Sequence, residues 1–411
     1  MEVLFAACAG IDVHQKSVVV CRIYTGPDRK VRIEVRTFST MTKNLLEMAD
    51  WLAEVGITHV AMESTGDYWK SVYNILEGNF EIWVVNAHHV KNVPGRKTDV
   101  KDAQWLAQLM RHGLLRPSLV PKPPQRELRD LTRMRLTLVR ERASLCNRLH
   151  KMLESVNIKL GAVASDLLGV SCRKMLHELA TDPDADPNAM AELALGSMRG
   201  KRDELALALQ GRMNDHYRFL LSQLLDHISE LDGRIEAFEQ RIEETSAPFK
   251  AAVALVDLVP GFSRTAAQTV VSEMGADMSP FASEGHLASW LGLCPGNNQS
   301  GGKRLSGKTR KGNRYARATL VQVAHVVCRM RETQYYSIYR RIAGRRGKKR
   351  ALIAVAHALV RTIYYVLKNG VAYEEPGADY LQKRDPEREL NALKRRAARL
   401  NLDLVPKPQA A

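Results

Sequence analysis

The sequence predicts a three-part protein: an α/β domain with a mixed sheet, a helical arm, and a mostly helical domain. Three observations predict this order. Short β-branched segments dominate the first 86 residues, apolar residues step by threes and fours between 217 and 242, and a glycine-rich, basic stretch interrupts helical patterns between 285 and 373. Alternating strand and helix patterns are typical of α/β sheets, and the threes-and-fours step is typical of a coiled-coil seam.

The composition indicates a globular protein with a polyanionic partner. Hydrophobic residues make up 45% and charged residues 26% of the 411 positions, which is ordinary for a globular chain. The net charge of +16 indicates nucleic acid as the simplest partner. No run approaches the roughly 18 apolar residues of a membrane span, so we expect no membrane partner. The six scattered cysteines contain no C-x-x-C pair and are typical of reduced thiols in the cytosol.

The first predicted domain, residues 1–120, begins with a hairpin of two strands. Segment 6–23 holds two β-branched runs around the polar break HQKS, in which His14 is interpreted as a turn residue. The pattern then predicts a strand at 31–38, a helix at 41–55, a strand at 57–63, a helix at 67–77, a strand at 80–86 and a helix at 98–113. A three-strand meander followed by helix–strand–helix–strand predicts a mixed sheet with a parallel half.

The middle of the chain, residues 121–247, predicts a helical arm. A proline-rich hinge, VPKPPQ, separates it from the first domain. The apolar residues between 217 and 242 form an a/d seam. Such a seam can join two antiparallel helices of one chain or form a coiled coil between two chains. Either alternative predicts a spacer or assembly role for the arm.

The third predicted domain spans residues 248–375, and a charged tail at 376–411 follows it. Between 285 and 373, 18 lysines and arginines stand against one acid, Glu332. Segment 255–275 has a Pro-Gly turn that resembles a helix-hairpin-helix turn, whose backbone amides can bind a phosphate. The usual second glycine is Ser263 here, so a simple packing turn is the alternative.

Four acids of the first domain are placed to meet. Asp12 lies in the first strand, where burying an unpaired carboxylate is costly, and Glu63 ends a predicted parallel strand. Asp99 and Asp102 are one turn apart on the apolar face of their predicted helix. Four converging carboxylates require a hard cation such as Mg²⁺, which could orient a nucleophile at phosphorus. The alternatives are a favourable helix-dipole position for the two aspartates and a loop-capping role for the glutamate.

The basic stretch contains a candidate nucleophile. Ser300 and Ser306 are each followed by glycine and a base, and glycine lets a backbone approach a phosphate. A serine nucleophile needs a base or a metal to activate it, and none lies in the loop itself. The residues alone leave open a nucleophilic serine or a flexible nucleic-acid-binding loop. The candidate phosphate-binding side chains are Lys303, Arg304, Lys308, Arg310, Lys311, Arg314 and Arg317.

Five segments carry a resemblance to a known family. Three resemble the amino-terminal domain of the DEDD transposases of bacterial insertion sequences, which are described as bridge-RNA-guided serine recombinases: GIDVHQKSVVV, AMESTGDYW and RKTDVKDAQWLA. Two resemble the carboxy-terminal transposase domain of the same family: LVPGFSRTAAQTVVSEMG and FASEGHLASWLGLCPGNNQSGGKRLSGKTRKGNRYAR. The segments follow the family's order and span nearly the whole chain, so the set is specific although no single segment is.

The resemblance implies an RNase H-like (RuvC-like) first domain and a serine nucleophile. The Mg²⁺-binding quartet of the family maps onto Asp12, Glu63, Asp99 and Asp102. The nucleophile maps onto Ser300, with Ser306 as the fallback, and it would form a transient covalent link to DNA while acids of another protomer complete the site. A structured RNA from the element would pair with donor and target DNA, so that base pairing carries the sequence specificity.

We therefore predict a Mg²⁺-dependent transposase, a phosphoryl-transfer enzyme that cleaves and exchanges DNA strands without ATP. Its predicted partners are donor and target DNA, a structured guide or bridge RNA, and further copies of itself in a dimer or tetramer. We expect it in the cytoplasm of a prokaryote, associated with the nucleoid. The alternatives are a Mg²⁺-dependent junction-resolving nuclease, in which water attacks, and a non-enzymatic nucleic-acid-binding assembly protein.

Overall fold

The chain forms two compact units, Met1–Pro121 and Lys122–Ala411. The boundary falls in the proline-rich hinge VPKPPQ. The second unit includes both the predicted helical arm and the predicted serine-bearing domain. The computed structural model describes residues 2–64, 66–86, 90, 102–296, 298–380, 383 and 386–405.

The first unit contains a five-stranded mixed sheet. Its strands are β1 Cys8–Val13, β2 Ser17–Thr25, β3 Val31–Ser39, β4 His59–Glu63 and β5 Glu81–Val85, and its helices are α1 Thr42–Ala53, α2 Trp69–Leu76 and α3 Asp102–Arg111. The order across the sheet is β3-β2-β1-β4-β5. The strands β3, β2 and β1 are antiparallel, whereas β1, β4 and β5 are parallel. The predicted meander with a parallel half is confirmed.

Each face of this sheet is covered by helices, because side chains alternate between the faces along every strand. One core lies against α1 and α2 and contains Ile11, Val60 and Met62. The other core lies against α3 and contains the neighbouring strand residue Ala61 together with Leu106 of the helix. Within each strand, whether a residue has an even or an odd number therefore determines whether its side chain packs against α1 and α2 or against α3.

Helix α3 crosses β1 in direct contact with Gly10. A Cβ atom on Gly10 would lie 2.2 Å from the carbonyl oxygen of Ala103 and 2.4 Å from the amide nitrogen of Ala107. The Sγ of Cys8 donates a hydrogen bond to the carbonyl oxygen of Ala107 at 3.5 Å. Cys8 therefore contacts α3 at Ala107, whereas Gly10, later in the strand, also contacts Ala103, which comes earlier in the helix. The helix runs against the direction of β1, and its first turn lies toward Asp12.

We expect Gly10→Ala to destabilise the first unit by about 2–3 kcal/mol, because the added methyl group would overlap backbone atoms that cannot rotate away. The measurement is the midpoint of chemical denaturation. Gly233→Ala is the control. In the described part of the chain, no atom outside the local helix backbone lies within 4 Å of a Cβ there, and the substitution in a helix should be stabilising by up to about 1 kcal/mol. Equal midpoints for Gly10→Ala and wild type would show that α3 does not pack on β1 this closely.

The second unit is mostly helical. Its helices are α4 Pro123–Ser155, α5 Leu160–Val163, α6 Val170–Thr181, α7 Pro187–Glu192, α8 Arg202–Ala208, α9 Asp215–Thr245, α10 Lys250–Asp257, α11 Arg264–Met274, α12 Glu284–Trp290, α13 Arg314–Val327, α14 Gln334–Arg346, α15 Lys348–Asn369 and α16 Pro386–Arg399, with 3-10 turns at Gly196–Lys201 and Ala247–Phe249. A β-hairpin, β6 Asn298–Ser300 and β7 Lys303–Ser306, interrupts them. The charged tail contains α16.

The predicted a/d seam joins two helices of the same chain. Helices α4 and α9 pack along each other and share one core. The buried members from the two helices include Leu138, Leu145, Leu149, Leu221, Ile228 and Leu231. Arg135 of α4 pairs with Glu239 of α9, and Arg142, further along α4, pairs with Asp232, which comes earlier in α9. The two helices are therefore antiparallel, which is the first of the two predicted alternatives.

Within the described ranges, helix α15 is long and apolar enough by composition to cross a membrane. Arg361 interrupts its apolar residues, so the helix contains no uninterrupted apolar run of the length of a membrane span. Its residues Val355, Leu359 and Ile363 are fully buried, and it packs against α13 and α14. The core helix of a globular protein passes the same test, so this helix is only a weak indication of a membrane.

Candidate active site

Two of the predicted acids lie side by side at the ends of parallel strands. Asp12 is near the end of β1, and Glu63 is the last residue of β4. The register pairs Ile11 with Met62, so the next pair along the strands is Asp12 and Glu63. Ala61, two residues before Glu63, is buried against α3. Both acids are therefore directed to the α3 face of the sheet, because residues two apart share a face.

Asp102 approaches the same place from the helix. It is the first described residue of α3 and is half-buried. Because α3 runs against β1, its first turn lies toward Asp12. The prediction for Asp99 falls outside the described residues.

The acids that the structure describes fit a hard cation by their chemistry. Asp12, Glu63 and Asp102 supply carboxylate oxygens from one face of the sheet, and such oxygens are the ligands that Mg²⁺ prefers. Among the described residues, no group of three or more His, Cys, Asp or Glu side chains is close enough together to hold a metal ion. Asp12, Glu63 and Asp102 therefore do not form a metal site by themselves.

His14 contacts Asp12, and this contact was not predicted from the sequence. It lies in the turn after β1 as expected, and its backbone N–H donates to the carbonyl oxygen of Ser17 at 2.9 Å. Its Nε2 lies 3.1 Å from Oδ2 of Asp12, whose side chain is 29% exposed. An imidazole beside a carboxylate can hold or accept a proton, and when protonated it competes with a metal ion for the same oxygen. The sequence feature that could have indicated this contact is the two-residue spacing of Asp12 and His14 just before a tight hairpin turn.

Ser300 lies in a β-hairpin, at a position where the sequence indicated only a glycine-rich loop. It ends β6 and pairs with Lys303, the first residue of β7. Gly301 and Gly302 between them have φ angles of +54° and +75°, as in the two-residue turns that favour glycine. The Ser300 side chain is exposed. The hairpin thus presents this hydroxyl to solvent beside a lysine.

Ser306, the fallback nucleophile, has a different environment. It ends β7 and is half-buried. Its Oγ accepts a hydrogen bond from the backbone N–H of Lys308 at 3.2 Å, which closes a local turn. Of the two serines, Ser300 is therefore the more accessible to a DNA phosphate.

The base of the hairpin is closed by tight backbone contacts. The N–H of Gly296 donates to the carbonyl oxygen of Lys308 at 2.8 Å. A Cβ atom on Gly292 would lie 2.7 Å from the carbonyl oxygen of Arg310, and one on Gly312 would lie 2.3 Å from the amide nitrogen of Gly292. Glycine is required where two backbones approach this closely. The two chain segments entering and leaving the hairpin are therefore held against each other.

A buried carboxylate, Glu273 of α11, anchors the segment that follows the hairpin. It is fully buried and accepts hydrogen bonds from Nε and Nη2 of Arg133 at 2.6 and 2.8 Å. Arg129 lies 3.3 Å away through its Nε. The Nδ2 of Asn313 donates to Glu273 at 2.6 Å, and the Oδ1 of Asn313 caps the first turn of α13. We call these four residues the Glu273 network.

The Glu273 network was not predicted from the sequence. Arg133 and Glu273 are 140 residues apart, and nothing in a single sequence shows that they meet. Burial is the largest single effect on Arg133 and would lower its pKa, but the hydrogen bonds and the negative charge of Glu273, with smaller contributions from Tyr315 and Asp130, together raise the pKa. At Arg129, burial has the larger effect and lowers the pKa of the guanidinium. Both arginines depend on the single carboxylate between them.

The predicted phosphate-binding residues divide into exposed and structural side chains. The exposed ones are Lys303, Lys308, Arg310, Lys311 and Arg314. Arg317 is half-buried and donates to Oγ1 of Thr309 at 2.8 Å and to the carbonyl oxygen of Arg310 at 3.2 Å. It therefore holds the segment after the hairpin in place. The side chain of Arg304 lies outside the described part of the structure.

The turn that resembles a helix-hairpin-helix motif packs against α13. Gly261 has a φ angle of +84°, and a Cβ atom there would lie 3.0 Å from Cβ of Val327. Ser263, in place of the usual second glycine, is the N-cap of α11, and its Oγ accepts the N–H of Ala266 at 3.4 Å. The structure thus gives this turn a packing role.

Two family models match the chain. A model for the DEDD transposases of IS110 elements matches residues 9–158. A second model, described as "Transposase IS116/IS110/IS902 family", matches residues 253–340. Asp12, Glu63 and Asp102 lie in the first match, and Ser300 and the Glu273 carboxylate lie in the second.

Curated relatives carry the same kind of description. The chain is 25% identical over 339 residues to a probable family 20 transposase of Pseudomonas aeruginosa. The aligned region covers 80% of this chain and 90% of the relative. It is 23% identical, with the same coverage, to the transposase for insertion sequence element IS1328 of Yersinia enterocolitica. It is 28% identical over 263 residues to an uncharacterized 44.8 kDa protein of insertion element IS116 of Streptomyces clavuligerus, with coverage of 57% and 64%.

Proposed function

The chain belongs to the IS116/IS110/IS902 family of transposases, and from this we propose that it cleaves and exchanges DNA strands through a serine–DNA covalent intermediate. A transposase recombines DNA, so DNA is its partner. The proposal concerns the chemistry: Ser300 as the attacking group, and Asp12, Glu63, Asp99 and Asp102 as the Mg²⁺-binding acids.

The shared face of Asp12, Glu63 and Asp102 is the observation that carries this proposal. Side-chain parity directs Asp12 and Glu63 to the α3 face of the sheet, and the first turn of α3, which contains Asp102, lies toward Asp12. A Mg²⁺ ion held there would stabilise charge on a departing oxygen and orient a nucleophile at phosphorus. The strand order β3-β2-β1-β4-β5 with its antiparallel and parallel halves is consistent with an RNase H-like (RuvC-like) fold.

The hairpin supports Ser300 as the nucleophile. The attack would form a bond from the serine oxygen to phosphorus and break the bond from phosphorus to a DNA oxygen, which takes up the serine proton and leaves as a hydroxyl. In the second step, a hydroxyl of the other DNA strand would attack the same phosphorus, break the bond to the serine oxygen and return its proton to the serine. Lys303 next to Ser300 supplies positive charge near a phosphate. The two Gly φ angles fix the turn that presents the hydroxyl.

We further propose that a structured guide RNA and additional copies of the chain take part, in the cytoplasm of a bacterial host. The net charge of +16 supports an extended contact with nucleic acid. If RNA pairing selects the sites, the protein needs to bind mainly backbone and shape. Purification from a host cell and sequencing of the attached RNA tests this part directly.

We expect Asp102→Asn to lower DNA strand cleavage by at least about 100-fold, because an amide is a weaker Mg²⁺ ligand than a carboxylate. Binding of DNA should change little. The measurement is cleavage of a labelled donor DNA with Mg²⁺, beside a binding titration. Asp50→Asn is the matched control, since Asp50 is an exposed acid of α1, on the opposite face of the sheet. Full activity of Asp102→Asn would place the metal site elsewhere.

A junction-resolving nuclease is the second candidate, and the contact between His14 and Asp12 favours it. An imidazole oriented by a carboxylate can accept a proton from an attacking water molecule. In that case Ser300 would only bind phosphate, and cleavage would leave free nicked ends. The presence or absence of a protein–DNA adduct separates the two candidates.

A further inference from the structure

A cationic surface lies where α14 ends and α15 begins. Seven Lys and Arg side chains in residues 340–350 are exposed, and we call them the basic turn: Arg340, Arg341, Arg345, Arg346, Lys348, Lys349 and Arg350. Neither helix contains an aspartate or glutamate. All members except Arg340 lie beyond the segment matched by the second family model.

The charges of the basic turn are not neutralised within the described residues. None of its members forms a salt bridge there, although ion pairs occur elsewhere in the same unit. Arg340 donates to the hydroxyl of Tyr336 at 3.4 Å, and Arg345 donates to the carbonyl oxygen of Arg341 at 3.3 Å. Seven neighbouring cations without counter-charges repel one another in the free protein.

Three of these cations also oppose the helix dipole. Lys348, Lys349 and Arg350 occupy the first turn of α15, where the positive end of the dipole makes a cation unfavourable by about 0.3–1 kcal/mol each. Arg345 and Arg346 in the last turn of α14 are favourably placed. An anionic partner bound across the turn would remove both the repulsion and the dipole penalty.

The turn itself is open to a phosphate. Among the described residues, no atom beyond the chain neighbours and the local helix backbone lies within 4 Å of a Cβ atom on Gly344 or Gly347. Arg341 and Arg345 are four residues apart, so they lie on the same side of α14 and about 6 Å apart along its axis. Phosphates two steps apart on a DNA strand are separated by about 7 Å along the duplex. These two cations can therefore approach phosphates of the same strand.

The aromatic residues of α14 argue against a single-stranded partner. Tyr335 is fully buried, and Tyr336 and Tyr339 are half-buried. Proteins that bind single strands usually combine cations with exposed aromatic rings on which bases stack. The basic turn offers charge without such rings. We propose that it binds the phosphate backbone of duplex DNA, independently of base sequence.

This inference rests on DNA as the partner and not on the role of Ser300 or of the metal-binding acids. It assigns to this chain a DNA contact separate in sequence from the serine hairpin. The contact would increase the affinity for DNA and its dependence on salt. It would not take part in the chemical steps.

The test uses the full chain with Arg345→Gln, Arg346→Gln and Lys348→Gln combined. We measure the affinity for a duplex of unrelated sequence by fluorescence anisotropy over a series of salt concentrations. Three lost phosphate contacts should lower the slope of log K against log salt by up to about 2.7, that is about 0.9 for each. The affinity at physiological salt should fall about tenfold or more, while adduct formation at saturating DNA stays at the wild-type level.

A matched variant removes the same number of charges elsewhere. This variant combines three substitutions at exposed residues of α16: Lys394→Gln, Arg395→Gln and Arg396→Gln. We expect it to change the slope of log K against log salt by less than about 1. An equal loss in both triple variants would mean that net charge alone is responsible, and would overturn the proposal. An unchanged duplex affinity with a lost affinity for a structured RNA would also overturn it.

A second variant tests the same surface with substitutions that we expect not to destabilise the fold. Lys349→Gln with Arg350→Gln removes two cations from the first turn of α15, which should leave the thermal midpoint equal or higher because of the helix dipole. Its slope should fall by up to about 1.8. A folded variant with the wild-type slope would rule out this part of the surface as a duplex contact.

Discussion

Ser300→Ala is expected to abolish the covalent protein–DNA adduct and to lower strand exchange by at least about 10⁴-fold, as removal of a nucleophile does in other enzymes. The hydroxyl oxygen is the atom that would bond to phosphorus, and alanine has no substitute for it. The substitution is at an exposed position of the hairpin tip, so the fold should be unaffected. The measurement is a denaturing gel of end-labelled donor DNA incubated with Mg²⁺.

Ser306→Ala is the matched control on the same hairpin. Its hydroxyl accepts a backbone hydrogen bond, and its removal should cost at most about 1 kcal/mol of stability while the adduct still forms. If Ser306→Ala and not Ser300→Ala removes the adduct, the two roles are exchanged. Free nicked ends from Ser300→Ala at the wild-type rate would instead favour the nuclease, and no strand breakage with any metal would favour an assembly protein.

Glu273→Ala is expected to destabilise the second unit by about 3–5 kcal/mol. The substitution would leave the half-buried guanidinium groups of Arg129 and Arg133 without the fully buried carboxylate that they share, and removing one partner of a buried ion pair costs this much. Asn313 would also lose its partner, so the start of α13 and the base of the hairpin would lose an anchor. The measurement is chemical denaturation, with adduct formation measured on the folded protein.

Glu239→Ala provides the comparison for Glu273→Ala. Glu239 also pairs with an arginine of α4, Arg135, but its side chain is 48% exposed. Exposed pairs contribute about 0–1 kcal/mol, so the expected loss of stability is correspondingly small. Similar losses of stability for Glu273→Ala and Glu239→Ala would show that the burial of Glu273 does not increase its contribution to stability.

The sheet of the first unit illustrates how much local pattern can predict. The β-branched runs, the polar break at HQKS and the helical spacings gave the five strands, their mixed directions and the helices between them. Strand ends also placed Asp12 and Glu63 together, because side-chain parity and parallel pairing are regular. These features depend on residues close in sequence.

The serine hairpin illustrates where the pattern is weak. Its strands have only three and four residues, and they are polar and basic, so alternation of apolar residues is absent. Two glycines with positive φ define the turn, but glycines in a basic stretch suit a loop equally well. The base of this hairpin is closed by backbone contacts between the segments on either side of it, which a local pattern does not show.

By itself the sequence determined the strand and helix pattern of the first unit, the excess of positive charge, and the family to which the chain belongs. Only the tertiary structure decided that the a/d seam is filled by α4, that His14 contacts Asp12, and that Glu273 joins Arg133 to Asn313. The physical reason is the range of the interactions. Periodicity and turn chemistry act between residues a few positions apart, whereas a buried carboxylate is satisfied by whichever donors the packed helices bring to it.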